Sequence, residues 1–433
     1  MSISLPSDPN GEQFEDLIVS VLMTLGYFVE SNMTLSQDGK EILELDVVAT
    51  PVGEGAAART LFEVKKEGLN FTNTFKLYGQ KIYLGINDAC LVSMRGASED
   101  HLPIYQAKGR ELGISMCPFP MTSVDLASLR EQKNSLAAEK VNSIIGGLWY
   151  LNIARRQALS ELKKRCKSLH GVAPYENAKK YLFSTRASFF QKEALARAET
   201  LYNAYFDNPK LSGALVSHVA QSKGESEDAM WAKVRDTHEH LDIQAIMDLE
   251  SVARFVIVKN ALDDAFERGD APPPASRIEF PGLSVDIPRH DLPANYFNGL
   301  ERMRSHEHGS KIPYLFEVFY SLLGGYIFYE DQDELELLSQ ITNIPPKNLI
   351  ECIHFMDDFF GSFFFKNKYK MLCMKSVPAI VRGGGAFVRQ NAFGFKEYRD
   401  KYGEAAWLLV KWHNATYNAL EPHLKQYVTP SEQ

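Results

Sequence analysis

The 433-residue sequence is poor in cysteine and has no C-x-x-C pair. Its five cysteines are scattered along the chain, at positions 90, 117, 166, 352 and 373. An odd number of widely spaced cysteines argues against a disulfide framework and against a cysteine-based zinc site. We therefore expect buried free thiols and a reducing compartment, which is the cytoplasm.

Long apolar runs are also missing. No run approaches the about 20 apolar residues that a membrane-spanning helix requires. The first residues, MSISLPSDPNGE, have neither the basic region nor the apolar core of a secretory signal. We expect no interaction with a membrane.

An overall excess of positive charge is missing too, because 47 basic residues face 55 acidic ones and the net charge is −8. The distribution is uneven. Residues 1–125 hold 9 basic and 17 acidic residues (−8), residues 126–200 hold 14 and 6 (+8), and residues 201–433 hold 24 and 32 (−8). Affinity for nucleic acid comes mainly from neutralised phosphates, so only the middle segment has the charge to bind a polyanion.

Residues 41–66 show the pattern around which the rest of the chain is arranged. Two stretches, EILELDVVAT and LFEVKK, alternate apolar and polar residues and are separated by a segment rich in glycine, PVGEGAAART. The alternation predicts an antiparallel pair of strands joined by a long hairpin connection. The predicted apolar face carries Leu43, Leu45 and Val47 from the first strand, and Phe62 and Val64 from the second.

The opposite face of this hairpin would bring Asp46, Glu63 and Lys65 together. Two converging carboxylates repel each other unless a cation lies between them, and hard oxygen ligands favour Mg²⁺. A lysine on the same face can orient a water molecule and stabilise the charge that develops on a phosphate. The pattern is typical of phosphodiester hydrolysis, and its alternative is a set of solvated charges on the outside of an ordinary hairpin.

The flanking sequence predicts alternating helices and strands. A helix precedes the hairpin and ends at Gly26, and a short strand, YFVE, follows it before a long loop from Ser31 to Lys40. After the hairpin come a helix (FKLYGQKIYLGI), a strand (DACLVSM), a helix (HLPIYQAKGRELG) and a strand (GISMCPF). This order is that of a layered α/β domain.

From Gly11 to about Phe119 the chain resembles the PD-(D/E)xK nucleases, which have the restriction-endonuclease-like fold. Mrr-type restriction endonucleases and Holliday-junction resolvases have the most similar pattern. The resemblance implies a mixed central sheet flanked by helices and catalysis with Mg²⁺ or Mn²⁺. The literal Pro-Asp pair of the family is absent, because Leu45 precedes Asp46.

The resemblance also implies a role for each motif residue. Asp46, Glu63 and the main-chain carbonyl of Val64 would hold the metal, and Lys65 would orient the attacking water. Two further residues match by position: Glu15 on the first helix, which would support the metal site, and Gln80 on the helix after the Glu-x-Lys motif.

The segment after residue 125 has helical periodicity, with a predicted break or close helix contact at Gly146-Gly147. A basic face follows, made of Arg155, Arg156, Lys163, Lys164 and Lys167. This face is either simply solvated or binds a DNA backbone. Because it adjoins an acidic nuclease-like domain, we expect it to supply the missing positive charge.

We predict four parts: a nuclease domain at 1–125, a helical domain at 126–268, a proline-rich extended linker at 269–293 and a mainly helical domain at 294–433. Within the last part, residues 334–374 have the helix–turn–helix–hairpin order of a winged helix. The second helix carries Glu351, Asp357 and Asp358, and this acidity favours protein contact or packing over DNA reading.

The predicted function is a metal-dependent DNA endonuclease, a prokaryotic restriction or phage-defence effector whose helical region senses, oligomerises or binds a protein partner. Cleavage of both strands by this fold implies a homo-oligomer. One alternative is a non-catalytic module, binding nucleic acid or protein, on a nuclease-like fold; the intact motif set argues against it. Another is a structure-specific repair nuclease or resolvase, which the large acidic C-terminal portion makes less attractive.

Overall fold

A computed structural model provides the structure of the protein and describes residues 6–374, with internal gaps. The gaps are residues 7, 39, 52–57, 99, 120–137, 209, 237–239, 270–275, 281–282, 288–291, 324, 329–331, 362 and 367–370. Predictions that concern residues 126–137 or 375–433 therefore lie outside the described residues.

The N-terminal part is a mixed five-stranded sheet with flanking helices. Strands β1, β2 and β3 are antiparallel, and β4 and β5 continue the sheet in parallel, in the spatial order β1-β2-β3-β4-β5. The predicted order of helices and strands is confirmed. The elements are α1 (Gly11–Leu25), β1 (Tyr27–Gln37), β2 (Lys40–Pro51), β3 (Thr60–Lys65), α2 (Phe71–Leu84), β4 (Asp88–Ser93), α3 (Leu102–Glu111) and β5 (Ile114–Pro118).

Local sequence signals fix both ends of α1. The Asn10 side chain accepts a hydrogen bond from the Gln13 amide, and the Asn10 main-chain amide donates to Gln13 Oε1, which completes a capping box. Gly26 ends the helix in the left-handed conformation at φ 98°, which glycine adopts without steric cost. These two caps hold Glu15 within the first turns of a well-defined helix.

The first strand is longer than predicted. A loop was expected from Ser31 to Lys40, whereas β1 runs on to Gln37 and pairs with β2 as far as Lys40. The cross-strand pairs Met33–Leu45 and Leu35–Leu43 provide apolar contacts that keep the two strands together. In the sequence, residues 31–37 alternate small and polar residues with few apolar ones, so the pattern did not predict a strand there.

The prediction that Leu43, Leu45 and Val47 share one face is wrong. Leu43 and Leu45 pack in one hydrophobic cluster, whereas Val47 packs in another, on the α1 side of the sheet. Opposite this change, Asn32 of β1 has a left-handed φ of 56°, which interrupts the regular alternation of the ladder. The irregularity coincides with Asp46, so the face of the strand on which Asp46 lies does not follow from regular alternation.

The rest of the described chain is mainly helical. Its helices are α4 (Ala138–Ser168), α5 (Ala173–Ala187), α6 (Ala194–Asp207), α7 (Leu211–Lys223), α8 (Glu227–Asp236), α9 (Leu241–Arg268), α10 (Ala294–Ser305), α11 (Ile312–Leu323), α12 (Gln332–Thr342) and α13 (Pro346–Phe360). Short strands form a hairpin, β6 (Ser276–Phe280) with β7 (Leu283–Ile287), and a three-stranded sheet of β8 (Tyr326–Phe328), β10 (Met371–Met374) and β9 (Phe364–Lys366) in the order β8-β10-β9.

Of the two alternatives predicted at Gly146-Gly147, the structure favours the close helix contact, because helix α4 passes through both glycines without a break and both are buried. One prediction for this part needs correction. The stretch 269–293 is not a fully extended linker, because it contains the β6–β7 hairpin. The alternating residues of SRIEF and LSVDI favour strands over the disruptive effect of the prolines around them.

The helix–turn–helix–hairpin order at the end of the described chain is present as α12, α13, β9 and β10. Asp358 of α13 forms an ion pair with Arg302 of α10, and Glu351 lies 3.9 Å from His306. The acidic side of α13 therefore packs against its own chain.

The N-terminal sheet and the helical part share one continuous core. A single cluster of buried apolar residues includes members of α1, α4, α9, α11 and α13. Hydrogen bonds reinforce the contact: the Trp149 indole donates to the Gln13 carbonyl (2.7 Å), and the Tyr314 hydroxyl donates to the Met23 carbonyl (2.9 Å). No helix in the described part of the chain is long and apolar enough to cross a membrane.

Candidate active site

The structure brings Asp46, Glu63 and Lys65 together. The Lys65 ammonium nitrogen lies 3.0 Å from Asp46 Oδ2 and 2.8 Å from Glu63 Oε1. The side chains of Asp46 and Glu63 are only 9% and 1% exposed. Buried charges are costly unless paired, so this is not a set of solvated charges on the outside of a hairpin.

Main-chain and helix contacts hold the two carboxylates in place. The Val64 amide donates to Asp46 Oδ2 at 2.9 Å, which ties β2 to β3 at the interrupted part of the ladder. From α2, the Lys76 ammonium donates to Glu63 Oε1 at 2.8 Å. Lys76 was not predicted; its sequence signal is its position one helical turn before Gln80.

The cluster keeps Lys65 charged. Burial by itself lowers the pKa of this lysine, but the adjacent charges of Asp46 and Glu63 outweigh burial, and the pKa is raised well above its ordinary value. A lysine that remains protonated cannot act as a general base at neutral pH. It can donate hydrogen bonds to a water molecule or to a phosphate oxygen.

Glu15 lies in the electrostatic neighbourhood of the cluster. Burial and, next, the charge of Asp46 raise the pKa of Glu15 from 4.5 to about 7, although Arg156 opposes both. Glu15 Oε2 accepts a hydrogen bond from Arg156 Nη2 at 3.0 Å. Glu15 is thus near enough to Asp46 for the two charges to interact, and a pKa of about 7 leaves it able to change charge near neutral pH.

Arg156 and Arg155 were predicted on a DNA-binding face, and the structure corrects this. Arg156 donates to both carboxylate oxygens of Asp16 at 3.0 and 3.1 Å, and Arg155 donates to Asp248 at 3.0 Å. The two arginine side chains are only 19% and 20% exposed. Helical periodicity predicted that the two arginines belong to an exposed basic face, because it uses their spacing alone. In the structure, α1 and α9 pack over this part of α4 and cover them.

The three lysines of the predicted face, Lys163, Lys164 and Lys167, are exposed on the C-terminal half of α4. Among the described residues, only Lys164 forms an ion pair, with Glu161 at 3.5 Å. Exposed lysines of this kind are free to contact a polyanion, and their DNA-binding role stays a prediction.

Gln80 faces β2 and not the charged cluster. Its amide nitrogen donates to the Glu44 carbonyl at 3.1 Å, two residues before Asp46. Its buried Oε1 has no hydrogen-bond partner among the described residues. The observed contact fixes α2 against β2, so Gln80 positions the strand that carries Asp46.

The donor atoms of the cluster fit a divalent cation in chemical type. Asp46 and Glu63 supply hard carboxylate oxygens, which Mg²⁺ and Mn²⁺ prefer, and Lys65 lies between them where a positive charge is required. Among the described residues, no group of three or more histidine, cysteine, aspartate or glutamate side chains is arranged to hold a metal. The predicted ligand set therefore requires the Val64 carbonyl in addition to the two carboxylates.

In comparisons with known proteins, no family model, no curated protein and no solved structure matches this chain.

The raised pKa of Glu15 predicts how stability depends on pH. Between pH 4.5 and about 7 the folded chain keeps the Glu15 proton that the unfolded chain has lost, so stability falls as pH rises through this window. The loss amounts to about 3 kcal/mol. We expect Glu15→Gln to remove it, as measured by urea unfolding at several pH values with a chelator present.

The exposed Glu12 lies on the same helix and provides a matched control, since Glu12→Gln should keep the wild-type pH dependence. An unchanged pH dependence in the Glu15→Gln protein would show that the Glu15 carboxyl ionises at its ordinary pKa.

Proposed function

We propose that this protein is a metal-dependent nuclease that hydrolyses phosphodiester bonds of DNA. The observation that carries the proposal is the buried convergence of Asp46, Glu63 and Lys65 on adjoining strands. Removing two carboxylates from water and placing a lysine between them costs folding free energy. Such arrangements are typical of catalytic sites.

In this proposal, Asp46, Glu63 and the Val64 carbonyl hold Mg²⁺ or Mn²⁺. The metal, when bound, polarises a phosphate oxygen and lowers the pKa of a water molecule. Lys65 keeps its proton, releases one of its carboxylate contacts and hydrogen-bonds the attacking water. Glu15, ionised above about pH 7, adds negative charge beside Asp46.

A second candidate has an observation in its favour. Each carboxylate already has an ammonium partner without any metal, because Lys65 forms ion pairs with both carboxylates and Lys76 forms one with Glu63. The cluster could therefore be a structural ion network in a non-catalytic module that binds nucleic acid or protein. Metal binding and cleavage distinguish the two functions.

Replacing Lys65 tests the catalytic role. We expect Lys65→Met to reduce nicking of supercoiled plasmid by at least about 100-fold, the lower end for a group that assists proton transfer or positions a reacting water. We also expect Mn²⁺ to raise the melting temperature of this variant more than that of the wild type, because both carboxylates lose a competing cation. Gel assays and thermal unfolding measure the two effects.

The neighbouring lysine is the matched control. Lys66 forms an ion pair with Asp8 at 3.0 Å outside the cluster, so Lys66→Met should retain wild-type nicking. An Asp46→Asn protein, purified identically, shows the contribution of contaminating nucleases. Absence of nicking by the wild type with Mg²⁺ or Mn²⁺, together with unchanged melting on metal addition, would favour the structural ion network.

Substrate binding requires positive charge that residues 1–125 do not supply. The proposal gives this role to the exposed lysines of α4: Lys163, Lys164 and Lys167. Replacing all three with glutamine should weaken binding to duplexes of different sequence by a similar factor. The plot of log affinity against log salt should become shallower by up to about 2.7, roughly 0.9 for each lost phosphate contact.

Fluorescence anisotropy with labelled duplexes at several salt concentrations measures this slope. Exposed lysines elsewhere give a control variant of equal charge, Lys108, Lys210 and Lys223 all changed to glutamine. If the two triple variants have the same slope as the wild type, DNA is held by another surface. Restriction or phage defence as the biological role, and a protein partner, rest on the family resemblance.

Homo-oligomer formation belongs to the same proposal, since two sites are required to cut both strands. Helix α2, which carries Lys76, exposes an apolar stripe on its outer side. The stripe contains Phe71, Phe75, Tyr78 and Ile82, at 36%, 61%, 36% and 62% exposed, and is flanked by Tyr83 (69%) and Ile104 (54%). Contiguous exposed apolar surface of this kind marks interaction sites.

We expect a Phe75→Glu, Ile82→Glu double variant to run as a single chain in size-exclusion chromatography with light scattering, at concentrations where the wild type is a dimer. The exposed aromatic residues Phe183 and Phe206 lie elsewhere, and their replacement by glutamate should not change the mass. A wild-type mass of one chain at every concentration would contradict association through α2.

A further inference from the structure

A second site lies where the N-terminal sheet meets the helical part. A cavity of about 360 Å³ is enclosed by α1, β1 and β2 on one side and by α4, α5, α6, α9 and α11 on the other. Cavities of roughly this size accommodate small organic molecules. The cavity does not include Asp46, Glu63 or Lys65, so it is separate from the charged cluster.

Two cations from neighbouring helices belong to the lining of the cavity. Lys163 of α4 and Arg186 of α5 both line it, and neither forms an ion pair within 4 Å with any described residue. Burial and the charge of Arg186 lower the pKa of Lys163. Glu44 and Glu12 also line the cavity, and the charge of Glu44 acts on both cations.

Another part of the lining is polar and buried. Glu317 of α11 is 8% exposed; its Oε1 accepts the Val29 amide at 3.2 Å, and its Oε2 has no partner among the described residues. Ser321, one helical turn later and 1% exposed, likewise has a hydroxyl without a described partner. Buried polar atoms in native proteins are normally hydrogen-bonded, so two unpartnered ones in a cavity wall indicate a missing ligand group or water.

Apolar side chains form a third part of the lining. Their positions are Leu159, Leu201, Val252, Phe255 and Val256. Such a wall favours an aromatic or aliphatic body over a string of water molecules, which would find few hydrogen-bond partners there.

We propose that this cavity binds a small organic anion, with its charged group at Lys163 and Arg186, its apolar body along the α9 wall and a hydrogen-bonding group at Glu317 and Ser321. These three groups of lining residues determine the chemical class: a compact anionic group, an apolar body and a hydrogen-bonding group.

The cavity and the charged cluster share one side chain. Arg156 lines the cavity and also donates to Glu15. A bound anion would attract Arg156 and weaken its hydrogen bond to Glu15. Any consequence for catalysis rests on the proposed nuclease function, whereas binding itself does not.

The probe for the experiment is 8-anilinonaphthalene-1-sulfonate, an aromatic anion whose fluorescence rises in apolar surroundings. The full-length wild type should bind it saturably, with one molecule per chain. Arg186→Glu should weaken binding by at least about 10-fold, because a charge-assisted contact becomes repulsive. Ala253→Trp, which fills the cavity from the α9 wall, should abolish saturable binding.

Lys180→Glu is the matched control, since the exposed Lys180 lies on the same helix as Arg186 but does not line the cavity, and the affinity of this variant should equal that of the wild type. A second comparison uses only the wild-type protein: the uncharged analogue N-phenyl-1-naphthylamine should bind at least about 10-fold more weakly than the sulfonate. Equal affinity for the two probes, or the absence of saturable binding by the wild type, overturns the proposal. Both readouts are independent of nuclease activity.

Discussion

The hydrogen bonds of the Arg156 guanidinium join the helical part of the molecule to the N-terminal sheet and its first helix. Arg156 lies on α4, yet it donates to Asp16 and Glu15 of α1 and to the Asn32 side chain of β1. Removing one partner from a buried, hydrogen-bonded ion pair typically costs about 3–5 kcal/mol, because the remaining charge is left without compensation. Arg156 therefore fixes α4 against the sheet and at the same time sets the charge balance beside Asp46.

That position explains why charge distribution along the sequence was only partly informative. The +8 segment does adjoin an acidic domain, as counting predicted, but part of its charge is consumed in packing. Arg155 and Arg156 neutralise carboxylates of α9 and α1, and beyond these two arginines the exposed positive charge of α4 starts at Lys163. Net charge measures attraction at a distance and does not distinguish a cation that is already paired.

The N-terminal fold could be predicted because its signals are local. Apolar–polar alternation and the glycine at the end of α1 each act over a few residues. The alternation predicted that Asp46, Glu63 and Lys65 converge, and they do, although the alternation of β2 itself breaks at Asp46. Lys76 and the Arg156 contacts could not be found in this way, since they depend on how a helix lies across strands distant in sequence. The true length of β1 and the irregularity at Asn32 depend on cross-strand packing, which periodicity does not encode.

The ionisation of Glu15 links the charge of the cluster to the binding of a cation. Around the cluster, two carboxylates and two lysines balance, so a divalent cation entering this site would leave an excess of positive charge. A carboxyl group with a pKa of about 7 can ionise in response and offset half of that excess. An ionised Glu15 would attract the cation more strongly than a neutral one, so metal affinity would be linked to loss of the Glu15 proton. Because Arg156 lowers the pKa of Glu15, any ligand that draws Arg156 toward the cavity would make that ionisation harder. The contact that holds the two halves together is thus also the one through which a cavity ligand would act on the cluster.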